Sequence, residues 1–252
     1  MSTEPITGFC GNFRGMNKEH KSEAVIAIDG PAGAGKSTVA RKLAHSLRLD
    51  YLDTGAMYRA LTLEALRNSL DLDDEEGLAE IAREMNIETD YKATKRPPYR
   101  VLINDEDVTT LIRTREVSAH VSQVSSHLAV RREMVGKQRR LAEKGGVVVE
   151  GRDVGTVVFP QADIKFFITA SLKERSKRRY REMKREGYDV SLKSVQQEMV
   201  KRDHLDSTRD HNPLKKAPDA IPVDTTSDSA TVVTRKMLRI TRERLGQVRG
   251  RR

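Results

Sequence analysis

Gly30-Pro31-Ala32-Gly33-Ala34-Gly35-Lys36-Ser37-Thr38 fits G-x-x-x-x-G-K-[ST], the pattern of a phosphate-binding P-loop. Its flanks suit it. Ahead lies Ala24-Val25-Ile26-Ala27-Ile28, an apolar run too short for a helix and β-branched enough for a buried strand. Behind it, Val39, Ala40, Leu43, Ala44 and Leu47 recur at helical spacing between Ser37 and Arg48. The chemistry explains the residue types. Glycines let the backbone turn inward so that successive N–H groups face one anion, and the following helix adds the positive end of its dipole. Lys36 reaches toward β- and γ-phosphates, and the Ser37 hydroxyl is placed for a magnesium ion. Strand, loop and helix in this order predict an α/β protein that binds a nucleoside triphosphate. They say nothing of what receives the phosphate.

The rest of the sequence sets bounds. A chain of 252 residues can bury a sizeable core and reads as one domain with insertions. It is 37% hydrophobic and 33% charged, with no apolar run approaching the ~18 residues of a membrane span. Cys10 is the only cysteine, which excludes an intrachain disulfide and is compatible with the cytoplasm. The net charge of +9 raises a nucleic-acid partner. Against that, the basic residues interleave with acids and no aromatic stacking motif accompanies them, so phosphate-bearing small substrates are the better fit. Met1 to Ser22 is polar and Gly-rich, lacks the apolar core of a secretory signal, and is expected to be a disordered extension ahead of a domain spanning 23–252.

Along the chain, Leu49 to Asp53 reads as a second strand, followed by a helix from about Gly55 with Tyr58, Leu61, Ala65 and Leu66 on one side. Thr54 and Arg59 sit at its mouth. Alone they read as a cap and a solvated side chain, but one βα unit after a P-loop they become candidates for a second phosphate site. Leu78 to Met85 is predicted helical. The pattern shifts over residues 86–108, where Ile87-Glu88-Thr89, Tyr99 to Asn104 and Glu106-Asp107-Val108 predict short antiparallel strands, with turns at Lys95-Arg96-Pro97-Pro98 and Asn104-Asp105. Helix resumes after Ile112 and again over Arg131 to Glu143. Val147 to Val149 is a buried strand that ends in Glu150-Gly151-Arg152-Asp153, where a parallel sheet would present its ligand site. Asp163 to Thr169 and Ala220 to Val223 supply a fourth and a fifth strand. Between them Ser171 to Gly187 is a very basic helix, read either as a solvated surface or as a mobile lid, and Val190 to Asp206 continues helical. Val232 to Leu245 closes the chain as an amphipathic helix.

Together these stretches resemble the bacterial cytidylate kinases, a family of P-loop nucleoside monophosphate kinases. The matching segments are Ala27 to Thr38, Asp53-Thr54-Gly55-Ala56-Met57-Tyr58-Arg59, Gly151 to Pro160 (GRDVGTVVFP), Arg202-Asp203 with Asp206 to Arg209, Asn212-Pro213-Leu214, and Asp224-Thr225-Thr226. They run from Val25 to about Gln247. The resemblance implies a three-layer P-loop NTPase-type fold with a five-stranded parallel sheet, a monophosphate-binding insert near 87–120 with a small antiparallel β patch, and a helical lid near 173–190. It implies ATP on Gly30 to Thr38 with Mg2+ at Ser37. Thr54, Tyr58 and Arg59 correspond to acceptor-site positions, Ser122, Arg131 and Asp153 to base-reading positions, and Arg152, Arg202, Asp206 and Arg209 to positions holding the monophosphate and its ribose. Lys36, Arg152, Arg202 and the lid arginines Arg175, Arg178 and Arg179 are the expected catalytic cations. Family members of this kind are commonly cytoplasmic monomers. Two departures stand out: Glu150 occupies a position where Asp is more usual, and His211-Asn212-Pro213-Leu214 replaces an Ala-Pro-Leu-like stretch.

The residue chemistry agrees with that implication. Cytosine offers a donor at its 4-amino group and acceptors at N3 and O2, so an acid such as Asp153 and an arginine such as Arg131 complement it. Uracil reverses the pattern at positions 3 and 4 and would leave both charged groups mispaired, at about 1–3 kcal/mol per unsatisfied group. Asp206 suits ribose hydroxyls, and forked arginines suit a phosphate dianion. Two other readings stay open at this point. One is a P-loop kinase of another small acceptor such as UMP or an alcohol, for which Asp53 would be a base. The other is a nucleotide-switched nucleic-acid-binding protein.

Overall fold

The computed structural model describes residues 23–91 and 99–249. The expected N-terminal extension and the Lys95–Pro98 turn lie outside these. In chain order the elements are β1 (Val25–Asp29), α1 (Lys36–Leu47), β2 (Asp50–Asp53), α2 (Thr54–Arg67), α3 (Glu75–Glu84), β3 (Ile87–Tyr91), β4 (Tyr99–Ile103) and β5 (Glu106–Asp107). A 3₁₀ turn (Leu111–Arg113) leads to α4 (Arg115–Val124), α5 (Leu128–Leu141) and β6 (Val147–Gly151). Then come a π-helical turn (Val154–Val158), β7 (Ile164–Thr169), α6 (Leu172–Arg185), α7 (Leu192–Thr208), β8 (Ile221–Asp224) and α8 (Ala230–Arg249).

Five strands form one sheet in the order β2-β6-β1-β7-β8, and every pairing in it is parallel. Parallel strands need crossovers, and their right-handedness fixes the layers. The step from β1 to β2 runs one way along the sheet; the steps from β2 to β6, β6 to β7 and β7 to β8 run the other. Helix α1 therefore covers one face and α2 to α5 the other, and α8 packs beside α1. The central strands are buried on both faces, so they read as continuous apolar runs: Ile26, Ala27 and Ile28 in β1, and Val148 and Val149 in β6, have no exposed surface. The direction of travel reverses at β1 and β6, which places the crevice for a ligand over the carboxyl ends of these two neighbours. That is where Gly30 and Arg152 emerge.

The predicted antiparallel patch is real. β3 pairs with β4 and β4 with β5. It leans on the β2 edge through aromatic contacts, with the Tyr51 ring 4.9 Å from Tyr99 and 5.4 Å from Tyr91, both edge-on. Three elements differ from expectation for local reasons. Helix α3 begins at Glu75 rather than Leu78, because Asp74 caps it by accepting from the Gly77 N–H. Helix α2 begins at Thr54 because Asp53, the last residue of β2, accepts from the Ala56 N–H. The π turn at 154–158 was not expected at all; its apolar, β-branched residues carry no helical period to read.

Candidate active site

Gly30 has φ +149°, and a Cβ there would lie 2.0 Å from the Ile168 carbonyl oxygen, so only glycine permits the chain to leave β1 so close to β7. The loop then turns into α1 at Lys36. The Lys36 ammonium is buried and donates to the Pro31 carbonyl at 2.9 Å. Burial pushes its pKa well below the usual lysine value, and Arg152 and Arg202 push in the same direction. The neighbouring Ser37 hydroxyl lies near enough to the Glu150 carboxylate to favour its charge, and that carboxylate accepts from the Tyr51 hydroxyl. Glu150 is fully enclosed in β6; burial and the nearby Asp53 raise its pKa, while Lys36, Tyr51 and Ser37 oppose the rise. The longer Glu thus stands beside the expected magnesium residue, held by a tyrosine that local sequence patterns did not single out.

No group of three or more His, Cys, Asp or Glu among the described residues is placed to hold a metal ion. A hydroxyl with one buried carboxylate beside it still fits magnesium, which keeps most of its shell as water and phosphate oxygen. The oxygen-only donor set excludes none of that chemistry.

Across the crevice stands a second set of residues. Arg131 (α5) and Asp153, which follows β6, form an ion pair with both side chains almost wholly buried. Arg131 also donates to the Ser125 carbonyl at 2.9 Å, and its guanidinium lies 5.4 Å from the Tyr58 ring centroid. Arg209 approaches the same Asp153 at 3.7 Å. Burial raises the Tyr58 hydroxyl to about 12, with Arg131 and the Gln138 side chain opposing the rise, and Arg131 Nε is buried without a protein partner. Ser122 sits on α4, where its carbonyl accepts from the Ser125 hydroxyl at 3.2 Å and its own hydroxyl has no hydrogen bond among the described residues. Among the described residues no hydrogen bond joins it to Arg131 or Asp153.

Between the two sets lies a cluster of cations. Arg152 pairs with the buried Asp206 at 2.8 Å. Burial opposes the Asp206 charge, but Arg152, Arg202 and Arg209 outweigh it and lower its pKa. Burial lowers the Arg202 pKa, with Arg152 and Arg179 adding to the effect, and its Nε has no protein partner. Arg59 donates to Ser118 Oγ at 2.8 Å, and burial, with Arg202, Arg113 and Arg179 nearby, pushes its pKa down to about 9. Like charges crowded in a buried crevice are costly until an anion joins them, so the electrostatics of this cluster favour an anionic ligand.

The other expected residues have defined partners. Thr54 spends its hydroxyl on the Glu150 carbonyl at 2.7 Å, tying α2 to β6. Arg175 is buried and bridges the Ala32 carbonyl of the P-loop (3.1 Å) to Asp203 of α7 (2.6 Å). Arg178 grips Thr225, whose hydroxyl in turn donates to the Ala34 carbonyl at 2.9 Å. Arg179 pairs with the half-exposed Glu182 at 2.8 Å and is near enough to Arg59 and Arg202 to disfavour their charge. Thr225 was legible only as part of the Asp-Thr-Thr stretch leaving the fifth strand; no local pattern announced its grip on the P-loop.

A family model described as "Cytidylate kinase" matches residues 26–243. The curated cytidylate kinase of Bacillus subtilis is 50% identical over 213 residues, covering 84% of this chain and 94% of that protein. The cytidylate kinase of Carboxydothermus hydrogenoformans is 51% identical over 216 residues, covering 85% and 96%. That of Geobacillus kaustophilus is 48% identical over 228 residues, covering 90% of this chain and all of that protein.

Proposed function

The chain belongs to the cytidylate kinase family, and from that premise we propose that it transfers the γ-phosphoryl group of ATP to CMP or dCMP, giving ADP and CDP or dCDP. The observation that carries the reading is the cation cluster of Arg59, Arg152 and Arg202, set between the P-loop and the buried Arg131–Asp153 pair. A triphosphate on the P-loop and a monophosphate in the cluster would meet over the ends of β1 and β6.

The acceptor is a phosphate oxygen that is already anionic, so the reaction needs no strong general base. The chain's work is positioning and charge stabilisation. The N–H groups of Gly30 to Thr38, other than Pro31, which has none, hold the donor phosphates, and Lys36 leaves the Pro31 carbonyl to meet them. Arg152 and Arg202 face the transferring group from the acceptor side. Arg179, with only a half-exposed partner, is free to swing in, whereas Arg175 and Arg178 hold the P-loop through Ala32 and Thr225. Asp153 accepts from the cytosine amine, Arg131 donates to its N3 and O2, Ser122 supports the same base edge, and Asp206 takes the ribose hydroxyls. Tyr58, Thr54 and Arg209 wall this pocket. Mg2+, bound by Ser37 and through water by Glu150, would neutralise the triphosphate.

In this reading the insert near 87–120 borders the monophosphate, and the lid near 173–190 closes over both substrates to exclude water. Closure concerns mainly the distal part of α6, since its base is fixed to the P-loop. A cytoplasmic monomer fits the single cysteine and the fact that no helix among the described residues is long and apolar enough to cross a membrane. The test is ADP release with ATP-Mg and each of CMP, dCMP, UMP, AMP and shikimate. Strong turnover is expected with CMP and dCMP, and at least tenfold less with UMP. Release independent of any acceptor, or equal with shikimate, would overturn the reading.

A further inference from the structure

Asp29 is the last residue of β1 and the one immediately before Gly30. It is 4% exposed, yet it touches no residue of the donor loop through its carboxylate. Instead Oδ1 accepts from the Val154 N–H at 2.8 Å and Oδ2 from the Gly155 N–H at 2.7 Å. These are the first two N–H groups of the π turn, donors that a helical turn leaves without internal partners. The register explains the reach. Asp29 lies opposite Gly151 on the adjacent strand β6. After Gly151 the chain makes a short excursion through Arg152 and Asp153, then folds back over the end of β1 and lands on the carboxylate.

The far end of the same turn is fixed as well. Arg139 of α5 donates to the Val157 carbonyl at 2.8 Å and the Val158 carbonyl at 2.9 Å. Gly155 leaves room for the arrangement, since a Cβ there would press on Asp29 Oδ2 at 3.3 Å and the Lys165 side chain at 3.1 Å. The segment that carries Arg152 and Asp153 is therefore pinned between β6 and a carboxylate belonging to the strand that launches the P-loop. Burial raises the Asp29 pKa to about 6, opposed by its two backbone hydrogen bonds, so its placement is not free of cost.

We infer that Asp29 is a positioning residue that sets where Arg152 and Asp153 stand relative to the P-loop, and so aligns the acceptor with the donor. The inference rests on the kinase reading above and adds to it the residue that couples its two halves. It is one-sided in effect. β1 is held by β6 and β7 on either side and keeps the donor loop in place without the carboxylate. The excursion at 152–155 has no strand partner; its backbone N–H groups at 154 and 155 rest on the Asp29 carboxylate, and its two side chains on the Arg152–Asp206 and Arg131–Asp153 pairs.

The test compares the wild type with Asp29→Ala, Asp29→Asn and, as a remote core truncation, Met237→Ala in α8, whose side chain is fully buried. KM for CMP, KM for ATP, the CMP:UMP preference, thermal stability and amide exchange at Val154 and Gly155 are measured. Asp29→Ala should raise KM for CMP at least tenfold and narrow the CMP:UMP preference, with KM for ATP within threefold. Asp29→Asn keeps one acceptor and turns an N–H₂ toward the other donor, so it should show the same one-sided change at smaller size and serves alone if the alanine variant does not fold. Met237→Ala should lose stability with KM for CMP unchanged. Exchange at Val154 and Gly155 should speed up in both Asp29 variants and not in Met237→Ala. The inference is overturned if KM for CMP stays within twofold, if both KM values rise together as stability falls, or if exchange at the two amides is unaffected. If the wild type itself releases no ADP with CMP, the kinase reading fails instead, and amide exchange still decides whether Asp29 holds the segment.

Discussion

The donor half and the acceptor half of the crevice are built on opposite principles. The proposed donor half is one contiguous loop, with a glycine at φ +149° where it passes β7 and one buried lysine resting on its own carbonyl. The acceptor half has almost no backbone in it. Its side chains arrive from α2, α5, the segment after β6, and α7, and they are held by one another: Arg131 by Asp153, Arg152 by Asp206, and Arg209 against Asp153. Backbone recognition suits a ligand part common to all nucleotides. Side-chain recognition suits the part that differs. The donor half should therefore break as rate, and the acceptor half as selectivity and as stability.

The largest expected break is Lys36→Ala. It removes the only side-chain cation of the P-loop and should lower turnover by about three orders of magnitude or more, while CMP affinity stays within threefold. Turnover within threefold of wild type would refute the role given to the loop.

Next is Asp153→Ala. It strands the Arg131 charge in a site where that side chain is 1% exposed, which should destabilise the fold by about 3–5 kcal/mol in denaturant titrations. Replacing both partners, Arg131→Met with Asp153→Leu, should recover most of that stability and none of the preference for CMP. A double variant that still discriminates CMP from UMP would move base reading elsewhere.

The coupling between the halves has a pH signature. An acid whose pKa is raised to about 6 in the fold binds its proton more tightly folded than unfolded. Its favourable contribution is fully present below pH ~4 and is lost as pH rises to about 6, a span worth about 3 kcal/mol. Desolvation is the main cause, with Asp153 adding to it and Lys36 and the two backbone donors opposing it. Stability of the wild type relative to Asp29→Asn should therefore fall between pH 4 and 6 and level off above. A flat difference across that range would contradict it.

The smallest effect belongs to Ser122→Ala. The Ser122 side chain is half-buried and makes no hydrogen bond to the Arg131–Asp153 pair, so kcat/KM for CMP should fall only about two- to fivefold. A hundredfold loss would make Ser122 a principal reader of the base and shift weight away from the ion pair.

The same division explains what could be read in the sequence. The sheet strands, the P-loop and most helices were legible, because periodicity and a nine-residue motif are local signals. Thr54, Arg59 and the Arg152-Asp153 strand end were legible from their place in the βα order, but the base-reading role of Arg131 came only through resemblance, since nothing within α5 marks it out from Arg132 except which one the fold buries. Tyr51 looked like an ordinary strand residue, yet it donates to Glu150 from across the β2–β6 pairing. Asp29 fell just past the apolar run read as a strand, inside the stretch that carried the resemblance, with no role of its own. Its partners lie more than a hundred residues away, on a π turn that no local pattern foretold. Long-range contacts made by single side chains leave no periodic trace.

The most direct test of the division is to titrate CMP and UMP, without ATP, into the intact protein. CMP should bind at least tenfold more tightly than UMP, because discrimination resides in the Arg131–Asp153 pocket and needs no occupied P-loop. Equal affinities would contradict this division and place discrimination in the closed, doubly liganded crevice instead.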